Sequence, residues 1–405
     1  MLLTSFALGA VAAFTSPSDG ASTPSLFALK VGSAETVAEG TVPNAVILVE
    51  NGKIVMVGED LPVERGIPVL SYPDAVLAPG IVGARSRIGL TNRAGTDVTP
   101  EVSAAYELEP GTKAYEELLE LGVTTLGLYP PGGGVVGTGI AIRTKGASRS
   151  EMILSDMTNL TMYIASNEGA KKLLGKAFEL LDKYLEKVDK EREKFEKDKE
   201  KEKDKKKQEE MVFEPPVPDE TVLPMLRLVT GDLRAVIGIR KASDYLHLLD
   251  VLGDREFDWD VQFSVQDDSD VFYIADRLGE VGRRCIVNPL VTMHPGTRRE
   301  RNLPKELLDA GAKVAFVPNS DSVRGFEDFR RDVAILVSYG FDRQAALRAM
   351  TLEPAASLGV DGRVGSISVG KDANFVLYDG DPLEPATKII GVMLEGDFVA
   401  GELAK

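Results

Sequence analysis

The sequence predicts an α/β fold flanked by antiparallel strands, on three observations. The segment VILVENGKIVMVG, from Val46, alternates apolar and polar residues around the turn pair Asn51-Gly52, a pattern typical of a β-hairpin. Late in the chain, Val364 to Gly401 contains three further short runs bounded by Gly, Asp or Pro, which we expect to be strands: GSISVG, ANFVLYDGDP and IIGVMLEGDFVAG. The early and late strands are expected to share one sheet.

Between these segments the chain changes character. Apolar runs separated by helical segments occur at 123–129, 235–239, 261–265 and 314–318. Buried parallel strands that alternate with helices indicate either an α/β barrel or a doubly wound sheet. With 405 residues and 43% hydrophobic content, the chain can bury one large core and a smaller one.

Composition excludes several classes of protein. The 47 basic and 63 acidic residues give a net charge of −16, which disfavours nucleic-acid binding. Cys285 is the single cysteine, so an intrachain disulfide framework and a multi-cysteine metal site are both excluded. The only histidines are His247 and His294, so the chain cannot build a site of three or four imidazoles.

The first residues predict export. Leu2 to Phe14 form an uncharged apolar run of the length of a signal-peptide core, followed by small polar residues. We expect residues 1–22 to be a signal peptide and the mature protein to be periplasmic or extracellular; a buried first strand or helix is the alternative, and a cytoplasmic location would then follow. No later segment is long and apolar enough to span a membrane.

The region 171–213 predicts a long, charged helical insertion. Its apolar residues recur at spacings of four, three, four and three, at Leu174, Phe178, Leu181, Leu185 and Val188. Residues 182–210, which we name the charged arm, contain 12 basic and 12 acidic residues among 29. Apart from Phe195, we expect the helix beyond the apolar face to be solvated on all sides. The arm is interpreted as an insertion between elements of the main domain, with a docking role as the alternative.

Four stretches carry motifs of a known family: VLAPGIVGARSRIGL (76–90), LGVTTLGLYPPGGGVVGTG (121–139), VAFVPNSDS (314–322) and ALRAMTLEPAASLGVDGRVGSISVGKDANFVLYDGDP (346–382). Their order and spacing resemble the amidohydrolase superfamily, in the branch of imidazolonepropionase and dihydroorotase-type enzymes. The resemblance implies an α/β fold with a (β/α)8 TIM-like barrel over 81–361. It also implies a composite β-sandwich made of 26–80 and 362–405.

The same resemblance implies a divalent metal, usually zinc, bound mostly by histidines at the carboxyl ends of the barrel strands. Arg85 and Arg87 stand where the His-x-His pair is expected, and a guanidinium has no lone pair for a metal. Alternation along the strand predicts that both arginines point to the same side, into the barrel mouth.

The remaining ligand positions are also altered. The fifth-strand histidine falls on Gly238 or Ile239, and the sixth-strand one falls near Gln266 and Asp267. Only Asp321 matches its family position, that of the eighth-strand aspartate. We therefore expect no metal cofactor, because a catalytic zinc needs three protein ligands.

Without a metal, the Asp321 carboxylate would need another positive charge to compensate it. We expect Arg85 or Arg87 to pair with Asp321 across the mouth and stand in for the metal; exposure of both arginines to water is the alternative. His294 follows a predicted strand and is a candidate for ligand contact.

Two classes of function follow. The first is a non-catalytic amidohydrolase-like protein acting as a scaffold, as a ligand-binding protein or as a partner subunit of a related amidohydrolase. An anionic small molecule bound at Arg85 and Arg87 belongs to this class, and a homo-oligomer is implied by the resemblance. The second is an active hydrolase of carbon–nitrogen bonds that uses Asp321 as base. It would assemble its site from Gln266, Asp267 and His294, and would hold zinc or polarise a carbonyl with the arginines.

Overall fold

The computed structural model describes residues 24–90, 95–165, 167–266 and 269–404. The predicted signal peptide, residues 1–22, lies outside this part of the chain, as does Asp267. Among the helices of the described residues, none combines the length and the hydropathy that a membrane span requires.

Early and late strands form one sheet. Its eight strands are β1 (Leu26–Glu35), β2 (Thr41–Pro43), β3 (Ala45–Glu50), β4 (Lys53–Glu59), β5 (Val69–Pro79), β19 (Phe375–Tyr378), β20 (Ile389–Leu394) and β21 (Asp397–Gly401). They are ordered β21-β20-β19-β5-β1-β3-β4, and β2 pairs with β1. The two parts of the chain join where β5 and β19 pair antiparallel, with Leu77 opposite Leu377. The predicted hairpin at Asn51-Gly52 is confirmed, since β3 and β4 pair antiparallel across it.

The sheet folds over on itself. Gly52, in the β3–β4 turn, lies against Glu395 in the β20–β21 turn, although these hairpins are at opposite ends of the strand order. Residues that are at most 1% exposed, from five of the strands, form one core between the two halves: Phe27, Leu29, Ile47, Leu77, Phe375 and Met393. The sandwich-like core therefore belongs to one continuous sheet.

One predicted strand of this region is wrong. GSISVG, residues 365–370, is irregular rather than extended. Gly365 and Gly370 have φ values of +86° and +88°, which take the backbone out of the β region at both ends of the segment. The segment still contacts the sheet, because the Gly370 N–H donates to the Ile54 carbonyl at 2.7 Å.

The main domain is built on parallel strands. They are β6 (Ile81–Ser86), β8 (Val123–Leu128), β12 (Asn159–Tyr163), β13 (Arg234–Gly238), β14 (Trp259–Gln262), β15 (Arg284–Val287) and β18 (Lys313–Phe316). Between β8 and β12 runs a bent antiparallel segment, β9 (Gly133–Thr138) and β10 (Ile140–Arg143). Because β10 pairs with β8 and β9 pairs with β12, this segment links the two groups of parallel strands.

Side chains from four strands meet inside the domain. Ala84, Val236, Ile286 and Ala315 are at most 1% exposed and form one cluster. The two outermost parallel strands, β6 and β18, also lie in contact. Interior layers of small and branched residues are typical of a TIM barrel, and the fold is a TIM-barrel-like arrangement of mixed α and β content.

The remaining elements surround this core. The helices are α1 (Lys113–Glu120), α2 (Arg149–Met152), α3 (Glu168–Lys201), α4 (Lys205–Glu210), α5 (Leu223–Val229), α6 (Ala242–Leu252), α7 (Ala275–Glu280), α8 (Leu303–Asp309), α9 (Val323–Ser338), α10 (Arg343–Met350) and α11 (Leu352–Ser357). The short strands are β7 (Thr96–Val98), β11 (Ile153–Ser155), β16 (Thr292–Met293) and β17 (Glu300–Arg301).

Helix α3 carries the first part of the charged arm. Its first half is anchored by buried Leu174, Phe178 and Leu181. In its second half, the Phe195 ring packs against Phe213, with ring centroids 5.6 Å apart, and the Lys199 ammonium donates to the Met211 carbonyl at 2.9 Å. The expectation of a solvated helix holds for most of residues 189–201, which are exposed except at Phe195 and Lys199, where the chain folds back along the helix after α4.

Candidate functional site

Two adjoining cavities open at the carboxyl ends of the parallel strands, a region that we name the mouth. The inner cavity, of about 500 Å³, is lined by residues including Arg85, Gln266, Asn288 and Asp321. The outer cavity, of about 1010 Å³, reaches Arg87, Arg240 and the start of α3. Both are lined by the same four residues, Tyr129, Gln262, Phe263 and Ser264, so they form one continuous depression.

A β-bulge sends the two arginines to different cavities. Gly83 pairs with Leu126 and Ser86 pairs with Leu128, so three residue steps on β6 match two on β8. An extra residue in one strand re-aims the side chains around it. Arg85 is consequently 4% exposed and lines the inner cavity, whereas Arg87 is exposed and lines the outer one. Both arginines still reach the mouth, as alternation predicted, because their guanidinium carbons lie 3.8 and 5.7 Å from the centroid of the same Tyr129 ring.

The Arg85 guanidinium is held by neutral groups. Its central carbon lies 3.8 Å from the centroid of the Tyr129 ring. Nη1 donates to Thr161 Oγ1 at 3.2 Å, and Nη2 donates to the Tyr163 hydroxyl at 3.4 Å. Nε is buried and has no hydrogen-bond partner among the residues that the structure describes. Stacking on an aromatic face is a favourable setting for a guanidinium, but it supplies no negative charge.

Arg85 therefore lacks a counter-ion within the described chain. Among the described residues, no carboxylate oxygen lies within 4.0 Å of its nitrogens. Burial raises the pKa of Tyr129 to about 12, although Arg85 beside it lowers that pKa. Tyr129 thus stays protonated at neutral pH. A buried charge without a partner costs several kcal/mol, so the mouth holds an electrostatic demand that the described residues do not meet.

Asp321 is not the partner of either guanidinium, and the predicted pair is wrong. Its Oδ1 accepts from the Ser86 hydroxyl at 2.7 Å, and its Oδ2 accepts from the backbone N–H of Arg87 at 2.9 Å. These donors belong to the end of β6 itself. The carboxylate is occupied by them, while Arg85 points instead to Thr161 and Tyr163 on β12.

The other predicted residues divide between the site and the surface. Gln266 lines the inner cavity together with Arg85 and Asp321. His294 lies in the connection between β16 and β17, where its ring is 5.4 Å from that of Phe272. It lines neither cavity, so the structure does not bring it to the mouth. The hairpin of β16 and β17, residues 292–301, which we name the surface hairpin, carries His294 away from the mouth.

Sequence reasoning missed three residues around Arg85. Tyr129 directly follows the apolar run of β8, and this position after a strand end is the signal that could have found it. Thr161 and Tyr163 lie on β12, which reaches Arg85 only through the pairing of distant strands. No pattern near Arg85 in the sequence points to them.

The space expected for a fifth-strand ligand is filled. A Cβ atom on Gly238 would lie 2.4 Å from the Tyr163 ring, well inside van der Waals contact. Tyr163 therefore occupies the room that a side chain on Gly238 would need. Within the described residues, no group of three or more His, Cys, Asp or Glu side chains could hold a metal ion.

Comparisons with known proteins agree with this architecture. A model of the amidohydrolase family matches residues 278–399. The chain is 40% identical over 92 residues to amidohydrolase tasK of Hapsidospora irregularis and 36% identical over 86 residues to an imidazolonepropionase of Syntrophobacter fumaroxidans. These matches cover 23% and 20% of this chain, and 9% and 20% of the length of the two relatives.

Solved structures share the fold over most of the chain. An amidohydrolase from Thermotoga maritima MSB8 superposes with a TM-score of 0.72 at 24% identity, covering 92% of this chain and 99% of that one. An adenosine deaminase from Xanthomonas campestris with bound zinc superposes with a TM-score of 0.52 at 16% identity, covering 93% of each chain. Together with the family match over residues 278–399, these findings agree with the resemblance seen in the motifs: the last third of the chain is similar to the amidohydrolase family, and the fold of most of the chain is shared with a solved amidohydrolase.

Proposed function

We propose that this chain is an amidohydrolase-fold protein that binds a small ligand at the mouth and does not hydrolyse carbon–nitrogen bonds through a metal centre. The observation that carries the proposal is Arg85, buried at the strand position of the family's histidine pair and held there by Tyr129, Thr161 and Tyr163.

The donor set of the mouth does not fit zinc. A catalytic zinc needs three protein ligands and an open position for water. The described part of the mouth offers one matching carboxylate, that of Asp321, and both of its oxygens already accept hydrogen bonds. A guanidinium has five donors and no lone pair to offer, so Arg85 cannot contribute a ligand.

Electrostatics points the same way. A guanidinium is a fixed positive charge in proteins, so Arg85 offsets the charge of Asp321 in the inner cavity and repels a divalent cation placed there. Tyr163 also fills the space beside Gly238, so a metal-ligating side chain does not fit at that position unless Tyr163 moves. The arrangement favours retention of an anion over retention of a cation.

A hydrolase centred on Asp321 is less well supported. Asp321 and Gln266 do share the inner cavity with Arg85, which would let a base and a cation act on one carbonyl. However, His294 lies on the surface hairpin and is absent from both cavity linings. The set of residues expected for that mechanism is therefore broken.

The test is the metal content of the full chain, purified without chelators, loaded with excess zinc, manganese, iron or nickel and then dialysed. We expect close to zero metal atoms per chain, and no turnover of cyclic amides or N-acyl amino acids with or without metal. One or two metal atoms per chain, lost in Asp321→Asn but retained in His294→Asn, would contradict the proposal. The second variant identifies metal bound at the surface hairpin.

A further inference from the structure

The ligand class of the mouth follows from the charge of Arg85, and this inference rests on the proposed function. We propose that the inner cavity binds the carboxylate of a small organic acid, with Arg85 as its counter-ion. The rest of the ligand passes Tyr129 into the outer cavity.

The first step is the unmet charge. Arg85 is 4% exposed, and what remains exposed faces the inner cavity. Its two terminal nitrogens donate to hydroxyls at 3.2 and 3.4 Å, which are long for charge-assisted hydrogen bonds. Each terminal nitrogen carries a second N–H. The guanidinium is thus positioned by neutral groups and still has donors for an anion.

The second step selects the anion. Asp321 lines the same cavity, so a dianionic phosphate would meet a like charge there. A carboxylate carries a single charge, matches the single buried guanidinium and suits its planar, forked geometry. Asp321 therefore repels a monocarboxylate less than it repels phosphate, and the inner cavity favours the monocarboxylate.

The third step concerns the body of the ligand. Gln262 lines both cavities, and its buried Oε1 atom accepts no hydrogen bond from the described residues. An unpaired buried acceptor is costly, and an N–H group on the ligand would satisfy it. The outer cavity, at about 1010 Å³, is large enough for a body of drug-like size beyond this point. The ligand class is a carboxylic acid with an amide or amine N–H close to the carboxylate.

The probe is N-acetylglycine, which carries a carboxylate and an amide N–H. Its uncharged methyl ester and inorganic phosphate serve as comparisons. Binding to the full chain is measured by calorimetry and by the shift of the melting temperature, up to about 50 mM ligand. We expect saturable binding of N-acetylglycine, binding of the ester that is weaker by about tenfold or more, and phosphate binding weaker than that of N-acetylglycine.

Variants locate the site. Arg85→Gln should weaken N-acetylglycine binding by about tenfold or more, because a charge-assisted hydrogen bond is lost. Arg299→Gln, at an exposed position on the surface hairpin, should bind like the original chain. Equal binding of acid and ester would overturn the inference, as would unchanged binding by a folded Arg85→Gln protein. The acid and ester comparison uses the original chain, so it stands even if the variant fails to fold.

The remaining outcomes separate this inference from the proposed function. No saturable binding of N-acetylglycine, or tighter binding of phosphate, overturns the carboxylate assignment and leaves the metal result in place. Hydrolysis of N-acetylglycine by metal-loaded protein, with metal bound in proportion to the chain, overturns the proposed function itself.

Discussion

Two buried arginines at opposite ends of the parallel strands have opposite surroundings. Arg284, at the start of β15, is 8% exposed, and Arg85, near the end of β6, is 4% exposed. The Arg284 guanidinium donates to Asp260 at 3.3 Å and to Glu353 at 3.2 Å. The Arg85 guanidinium contacts an aromatic ring and two hydroxyls, with no carboxylate within 4.0 Å among the described residues.

The network at the start of the strands is closed within the chain. Arg234 also reaches Asp260 at 3.5 Å, and Arg348 reaches Glu353 at 3.1 Å. These side chains join β13, β14 and β15 to α10 and α11, so their charges serve the fold. At the mouth, no carboxylate of the described residues lies within 4.0 Å of the Arg85 nitrogens, and this difference separates a stabilising network from the ligand site that we propose.

The largest expected effect is at the closed network. Arg284→Met leaves the Asp260 and Glu353 carboxylates with weaker compensation, and Asp260 is 1% exposed. Breaking a buried ion pair from one side costs about 3–5 kcal/mol. We expect a loss of that size in the free energy of unfolding, measured with urea. Arg299→Met, at an exposed position, should change it by less than about 0.5 kcal/mol. A loss below about 1 kcal/mol in Arg284→Met would remove the contrast between the two arginines.

A second prediction concerns the packing behind Arg85. Gly238→Ala forces its new methyl group against the Tyr163 ring, which lies 2.4 Å from the ideal Cβ position. Overpacking of this kind costs about 1–3 kcal/mol. Gly175→Ala, in α3 with open space around its Cβ, should instead stabilise the protein by about 0.5–1 kcal/mol. The free energy of unfolding of both variants is measured with urea. A Gly238→Ala protein as stable as Gly175→Ala would show that Tyr163 does not fill the space beside Gly238.

A third prediction extends the comparison to another closed pair. Glu35 on β1 accepts from Arg343 at 2.8 Å and from the Thr41 hydroxyl at 2.7 Å. Burial raises the pKa of this carboxyl. The hydrogen bonds from Arg343, Thr41 and Gln344 together lower the pKa by more than burial raises it, so it lies below the usual 4.5. Its stabilisation is therefore present above that value and is lost as the pH falls through the lowered pKa.

Glu35→Gln should consequently lose about 1–2 kcal/mol of unfolding free energy at pH 7. The difference between this variant and the original chain should shrink as the pH is lowered from about 5 to 3. Urea unfolding across this pH range measures it. A difference that stays constant with pH would show that the charge of Glu35 contributes nothing.

Much of the fold could be predicted from local patterns. The Asn51-Gly52 pair, with φ values of +50° and +75°, specifies its hairpin within a few residues, so reading it needs no tertiary information. GSISVG also alternates, but its two glycines adopt positive φ and the segment is irregular. Alternation alone did not reveal that choice, because glycine permits both conformations.

The site was predictable in part. The motif order placed Arg85, Gln266 and Asp321 at strand ends, and the structure brings them to one cavity. The bulge that separates Arg85 from Arg87 depends on the pairing of β6 with β8, which a single strand does not encode. The contacts of Arg85 with Thr161 and Tyr163 likewise require β12 to lie nearby, across 76 and 78 residues of chain.

The free energy of unfolding of Arg85→Met tests the central claim most directly. Replacement of the guanidinium loses its stacking on Tyr129, worth about 1–2 kcal/mol, and removes a buried charge whose desolvation costs several kcal/mol. In buffer without carboxylate ligands, the account predicts stability equal to that of the original chain or higher by up to about 2 kcal/mol. A loss of about 3 kcal/mol or more, like that expected for Arg284→Met, would contradict it, because the chain itself would then compensate Arg85.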